Sequence, residues 1–331
     1  TTGTLSRGRR SIAIDLKSPD GVAVLMRLIA EADALIEGFR PGVLERLDLG
    51  PDRCLAQNPA LIFGRVTGWG QDGPFAHAAG HDLNFVALSG TLAHMGRRDE
   101  KPVPPLNLVG DFGGGGMLLA MGMLAALLSA RTTGVGQVVD ASMIDGSALL
   151  MTMIYELLGR GQWDERREAN MNDGGAHFYD VYETSDGHYV SVAAMEPKFF
   201  AELLARMDLD PADFPGQWNK GNWQAAKAKL AEVFRGQSRQ HWCDLLEGTD
   251  ACFAPVLTMS EAVHHPHNAS RGTFCEIDGM LQPAPAPRFS ATPPAIPAAA
   301  SAPGGATDEV LGELGLSKTE IADLKERGVV A

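Results

Sequence analysis

The sequence is short of basic residues. Lysine and arginine number 28 against 41 aspartates and glutamates, for a formal net charge of −13. Such a balance argues against nucleic acid or an anionic membrane as the main partner. Local cations can still bind an anionic ligand. Cysteine is scarce as well. Cys54, Cys243, Cys252 and Cys275 include no C-x-x-C pair, which weakens zinc and thioredoxin-type readings. Dispersed cysteines fit a reducing compartment. No signal-peptide pattern is present, and Gly328-Val329-Val330-Ala331 is not a peroxisomal tripeptide, so a cytoplasmic location is expected. Long uncharged apolar runs are lacking too. The longest, residues 117–130, is too short to span a bilayer and reads as a buried helix, so no membrane partner is expected. His77 and His81 are four apart, but Gly80 lies between them and no adjacent glutamate completes a zinc pattern. The cluster His264-His265-Pro266-His267 reads as a surface loop, and no metal is expected.

With 331 residues, 45% hydrophobic and 21% charged, the chain can form two domains around a large core. Residues 11–17 read as a strand, and Ser18 and Pro19 as the N-cap and first residue of a helix over 22–32. A strand at 34–37 turns at Gly38-Phe39-Arg40-Pro41-Gly42 into a helix at 43–47, and 61–66 is a third strand. Alternating strands and helices imply a parallel sheet of doubly wound type. Ligands of such sheets lie beyond the carboxyl ends of the strands. There stand Asp15-Leu16-Lys17, Gly38-Phe39-Arg40 and Thr67-Gly68-Trp69. Lys17, Arg40 and Arg46 are candidates for phosphates, or else plain surface cations. Apolar helices are expected at 117–130 and 146–158. Asp140 and Asp145 read better as caps or polar-network residues than as catalysts. A hairpin over 178–183 and 188–194 opens a second, α+β region. The expected domains are 1–176, a Rossmann-like large domain; 177–282, a small α+β domain; and 283–331, a Pro/Ala-rich linker with helices at 308–314 and 318–327 returning to the large domain.

The chemistry concentrates between Gly80 and Gly116. Gly80-His81-Asp82-Leu83-Asn84-Phe85 stands at one end, and Asn107-Leu108-Val109-Gly110-Asp111-Phe112-Gly113-Gly114-Gly115-Gly116 at the other. Histidine exchanges protons near neutral pH, and a partly buried aspartate can match it. Such a pair on opposite faces of one carbon inverts that carbon through an enolate. The enolate oxygen needs donors, and amides of a glycine turn at a helix start (Gly110, Gly113, Gly114) suit it. The bland alternatives are a surface histidine, a helix-capping aspartate, and glycines that only permit close packing. Glu196, beside Pro197 where the hairpin gives way to a helix, could reach an imidazole across a cleft or simply face the helix dipole.

These segments resemble the family III CoA-transferase superfamily. The likeness is dense at Arg7-Gly8-Arg9-Arg10-Ser11, Asp15-Leu16-Lys17, Glu37 to Val43, Thr67 to Gln71, Gly80-His81-Asp82, Asn107 to Gly115, Gly136 to Asp140 and Asn172 to Gly175. Within the superfamily the chain is similar to the branch that racemises 2-methylacyl-CoA thioesters. The resemblance implies that His81 and Asp111 are the two acid/base groups, with Glu196 supporting the histidine from a partner subunit. It implies that Ile14, Asp15, Leu16, Lys17, Gly38, Phe39, Arg40, Arg46, Gly80, Asp82, Leu83, Asn84 and Phe85 line the CoA and acyl pocket. It further implies an interlocked homodimer with shared active sites, and no cofactor beyond the coenzyme A of the substrate. Transferases of the superfamily use the aspartate matching Asp111 as a nucleophile and generally carry a non-basic residue in place of His81. Acyl transfer and a non-catalytic CoA-binding role are the alternatives. Members also carry an N-terminal segment ahead of the match to Arg7, and the opening Thr-Thr-Gly-Thr reads as a start inside a longer protein.

Overall fold

The computed structural model describes residues 3–331. The reading of Thr1 as an internal start falls on residues outside that range. The chain begins with α1 (Pro19–Glu31), β1 (Ala34–Glu37), α2 (Val43–Arg46), α3 (Pro51–Gln57) and β2 (Ile62–Thr67). Next come α4 (Asp82–Leu88), a π-wound segment (Leu108–Met117), α5 (Leu118–Thr133), β3 (Gln137–Ser142), α6 (Met143–Leu150) and α7 (Thr152–Gly159). The second half holds β4 (Tyr179–Glu183), β5 (Tyr189–Ala193), α8 (Pro197–Arg206), α9 (Lys220–Arg235), α10 (Arg239–Leu246) and β6 (Phe253–Val256). A hairpin of β7 (Phe274–Ile277) and β8 (Met280–Pro283) precedes two helices, Thr307–Glu313 and Lys318–Glu326. Two compact units result. The first combines the residues up to Ala79 with Gly115–Met143 and Glu261–Ala331; the second combines Gly80–Gly114 with Ile144–Ser260.

In the first unit β1, β2 and β3 form a parallel sheet in that order, Ile36 facing Gly64 and Gly64 facing Val139. Parallel neighbours need crossover connections, which the helices between them supply. The central strand β2 is apolar on both sides, as a strand covered by helices must be. Leu61 and Phe63 pack with Ile29, Leu49 and Cys54 on one face. Ile62 packs with Leu119, Met123 and Ala126 of α5 on the other. Each large side chain fully buried in this way contributes about 2 kcal/mol. A Cβ on Gly64 would lie 2.5 Å from Met123 Sδ, so a larger residue here would have to displace the Met123 side chain.

Three expectations change. Residues 11–17 form no strand of the sheet; Ile14 makes a single antiparallel bridge to Val330, and Asp15 N–H bonds Val329 O at 2.9 Å. Their apolar side chains are satisfied by packing, Ile12 and Ile14 joining Val24, Leu311 and Leu324. The helix expected at 146–158 is two helices broken at Met151, where ψ is 7°. Finally, the helical run is not confined to residues 117–130. It extends over Leu108–Thr133, 26 residues, which by length and composition suffices to cross a membrane. The glycines add helical length that apolarity did not reveal. In the fold, α5 lays Leu119, Met123, Ala126 and Ala130 against the sheet, as a core helix does. Met117, Met121, Leu124 and Leu128, at helical spacing, are exposed.

In the second unit the antiparallel sheet β4–β5–β6 and helices α8, α9 and α10 enclose Phe178, Tyr182, Val190, Leu203, Leu230 and Phe234. The expected hairpin is present, with Gly187 at φ 74° in its turn. Lys227 of α9 contacts Glu168 Oε1 at 2.6 Å and Asp180 Oδ2 at 2.8 Å, and Arg97 contacts Asp180 Oδ1 at 2.8 Å. Removing Lys227 or Asp180, the most buried members, costs about 3–5 kcal/mol, because the other charges lose their partner. Residues 284–306 carry no helix or strand, as their proline and alanine content suggests.

Candidate active site

His81 is the N-cap of α4, with extended backbone at φ −132° and ψ 170°. Its N–H donates to Asn84 Oδ1 at 3.1 Å, and its carbonyl accepts from Asn84 N–H at 2.8 Å. The backbone is thereby fixed while the residue stays exposed. Along α4 the side chains divide by helical spacing. Asp82 and Phe85 are buried, and Leu83 and Asn84 face outward.

Asp111, half-buried, lies in the π-wound segment, a geometry often found at functional sites. Its carboxylate accepts from Asn107 Nδ2 at 3.3 Å. Its N–H donates to Asp82 Oδ1 at 2.7 Å. His81 and Asp111, thirty positions apart in sequence, are thus joined through one hydrogen bond and one peptide link. The expectation of a glycine turn leading to a helix start is corrected, because the glycines are themselves wound. In a π-helix each N–H bonds the carbonyl five residues back, as Phe112 does to Asn107 at 3.3 Å. Gly113 and Gly114 fall within that pattern, while Gly110 stands in the first turn, whose amides it does not use. Gly110 and Gly114 also answer to packing. A Cβ on Gly110 would lie 2.5 Å from Asp82 Oδ1, and one on Gly114 would lie 2.7 Å from Ser147 N.

Glu196 is the exposed N-cap of α8. Among the described residues its carboxylate forms no hydrogen bond with His81. Apolar space lies in the same unit. A cavity of about 530 Å³ is lined by residues including Met95, Val103, Pro104, Pro105, Met151 and Trp163, and its lining runs to within two residues of Asn107. A larger one, about 1110 Å³, is walled by Trp163, Trp218 and Trp223 and touches none of His81, Asp111 and Glu196.

The first unit carries the residues expected to hold phosphates. Arg65, 6% exposed, reaches Glu37 Oε1 at 2.7 Å and Glu45 Oε1 at 2.7 Å. The hydrogen bond from Arg65 holds the Glu45 carboxyl below its usual range. Glu37 Oε2 in turn accepts Phe39 N–H at 2.7 Å, which fixes the turn Gly38-Phe39-Arg40. Asp15 Oδ1 accepts Lys17 N–H at 3.0 Å in a local turn, with Ile14 and Leu16 half-buried on either side. Lys17, Arg40 and Arg46 are exposed, and among the described residues none forms an ion pair. Sequence reasoning missed the Glu37–Arg65–Glu45 bracket, the Asn107 contact and the clamp through Asp82. Only Asn107 had a local signal, four residues before Asp111 on one helical face. Among the described residues no group of three or more metal-ligating side chains is present.

Three similarities bear on this arrangement. Residues 2–307 match the model of CoA-transferase family III. The chain is 46% identical to mouse alpha-methylacyl-CoA racemase and 44% identical to the human one, over 98% of its own length and 86% of theirs. Its fold is similar to a CAIB/BAIF family protein from Brucella suis, with a TM-score of 0.78 at 25% identity, covering 93% of this chain and 82% of that one. With the parallel sheet, the Gly-His-Asp turn and the aspartate at Asp111, these matches make the chain a member of CoA-transferase family III.

Proposed function

We propose that this protein is an α-methylacyl-CoA racemase that interconverts (2R)- and (2S)-2-methylacyl-CoA thioesters by proton transfer between two bases. The observation that carries the reading is the hydrogen bond from Asp111 N–H to Asp82 Oδ1, which ties one base to the covalent neighbour of the other. In one direction the neutral imidazole of His81 takes the α-proton, and the C–H electron pair moves into the thioester carbonyl to give an enolate. The protonated carboxyl of Asp111 then delivers a proton to the opposite face. In the reverse direction the roles exchange.

Coenzyme A enters as part of the substrate, and the proposal uses no metal or cofactor. Lys17, Arg40 and Arg46 would contact its phosphates, with Ile14 to Leu16, Gly38 and Phe39 beside them. Gly80, Leu83 and Asn84 would border the thioester, with Asp82 and Phe85 buried behind them, and the cavity near Pro105 would take the acyl chain. We assign the exposed stripe Met117, Met121, Leu124 and Leu128 to a second subunit, whose Glu196 would bond His81. The reading includes a cytoplasmic location.

The test is proton exchange. A single epimer of a 2-methylacyl-CoA in deuterated water should lose its α-proton signal while the other epimer appears. Absence of exchange would sink the reading. Transfer of coenzyme A from the thioester to a carboxylate acceptor, with release of the free 2-methyl acid, would in its place establish CoA transfer with Asp111 as nucleophile.

A further inference from the structure

We infer that Asp82 is a positioning residue for the reaction, and that its carboxylate sets where Asp111 stands relative to His81. The inference rests on the two-base reading above and goes beyond it. Asp82 is 7% exposed, although it is the first residue of a helix that begins at the surface. Its Oδ1 takes the Asp111 N–H at 2.7 Å, the short distance typical of a charge-assisted bond. Its Oδ2 is buried and has no hydrogen-bond partner. A carboxylate hidden from water and bonded on one side only is costly, and a stability role alone would favour a residue that leaves nothing unpaired.

The surroundings leave the carboxylate little freedom. Gly110 presses on it so closely that a Cβ there would meet Oδ1 at 2.5 Å, Asp82 Cγ at 3.0 Å and Val86 Cγ2 at 3.2 Å. Val86 is wholly buried, so the helix cannot retreat. His81 is set on the other side by its two backbone bonds with Asn84. Asp82 is therefore the shared member of two frames: the N-terminal turn that fixes one base and the π-wound segment that carries the other. An aspartate at a helix start also faces the favourable end of the dipole, but that benefit does not depend on Asp111.

A two-base enzyme gives this role a signature that simple destabilisation lacks. If Asp111 is displaced while His81 stays in place, the epimer that gives its proton to His81 still forms the enolate. The exchanged imidazolium then returns deuterium to the same face. Deuterium enters without inversion, for that epimer only. The experiment follows both epimers of a 2-methylacyl-CoA in deuterated water, scoring exchange and inversion separately, with the wild type and D82A, D82N and G110A.

In D82A, inversion should fall by about thirtyfold, as expected on losing a hydrogen bond to a charged group, while one epimer keeps exchange near the wild-type rate. D82N retains an oxygen at Oδ1 and should recover inversion to within about fivefold of wild type, even if it melts lower because an amide replaces the buried Oδ2. G110A keeps Asp82 and displaces it, and should reproduce the one-sided exchange of D82A. Equal loss of exchange and inversion for both epimers in D82A and G110A would reduce Asp82 to a structural residue, as would wild-type behaviour in both. No exchange by the wild type would defeat the two-base reading itself, and this inference with it. If D82A does not fold, G110A and D82N still decide the matter.

Discussion

His81 and His177 belong to the same compact unit, yet the first is exposed at the start of α4 and the second is 1% exposed among phenylalanines. Ring centroids of Phe178, Phe200 and Phe214 lie 5.2, 5.1 and 6.4 Å from that of His177. Neither ring nitrogen of His177 has a hydrogen-bond partner. Burial, with the charge of Lys227, pushes its pKa down to about 4. By itself a perturbed, buried, unpaired imidazole would draw attention as a functional group. The comparison shows why it carries no chemistry here. It is neutral at neutral pH, but it is sealed from solvent and neither ring nitrogen has a partner to relay a proton. His81 shows no comparable burial; its qualification is a fixed backbone, an open ring and Asp111 close by through Asp82.

The largest expected effect separates the two directly. H81A and D111A should each lower inversion by at least about a thousandfold, within the range for losing a general acid or base. H177L, which puts an apolar side chain of similar size in place of the ring, should change kcat by no more than about twofold. Measuring epimer interconversion at saturating substrate checks all three. A comparable loss in H177L would erase the contrast.

A second effect reverses the ranking, because it reads stability rather than rate. The folded pKa of His177 lies near 4, below the ordinary value of 6.5. Between those values the unfolded chain binds a proton that the folded chain refuses. Stability from the neutral ring is complete above pH 6.5 and is lost as pH falls toward 4, by up to about 3 kcal/mol. Carboxyls held low by partners, such as Glu45 and Glu168, lose their contribution at more acid pH. The difference between wild type and H177L in urea midpoint, from pH 7 to pH 4.5, isolates the histidine. H177L should show the flatter profile.

The same pair of residues shows what could be read from the sequence. Gly80-His81-Asp82 and Asp111 stood out because their residue types sit beside glycines and carry a proton function. The strands β1 and β2 and the hairpin β4–β5 were legible from apolar runs and turn residues. The clamp through Asp82 was not, since a bond across twenty-nine positions leaves no periodic trace. Nor was the π winding, because glycine is read as a helix breaker and only packing, as of Gly114 on Ser147, makes it helical. Residues 11–17 alternate like a strand, yet their partner is Val330 at the far end of the chain, and pattern alone does not name a partner. His177 gave no sign at all, since its environment comes from Phe200 and Phe214, more than twenty residues away.

The smallest effect joins the two histidines. His177 packs on Phe200, and Phe200 lies one turn after Glu196, whose carbonyl accepts the Phe200 N–H at 3.0 Å. His177 thus helps set the helix start from which Glu196 projects. If Glu196 bonds His81 of a second subunit, E196Q should lower kcat by about tenfold, the weaker end for a hydrogen bond to a charged group. H177A, which opens a gap under Phe200, should lower kcat less, and should add little to E196Q because both act on one contact. Subunit sharing makes a stricter demand. Mixing unfolded H81A and E196A chains and refolding them together should restore part of the activity, since one site of each mixed dimer then receives His81 from one chain and Glu196 from the other. The regained rate should approach half that of wild type per mixed dimer. No recovery in a mixture shown to contain mixed dimers would confine Glu196 to its own chain, and His177 would then bear on stability alone.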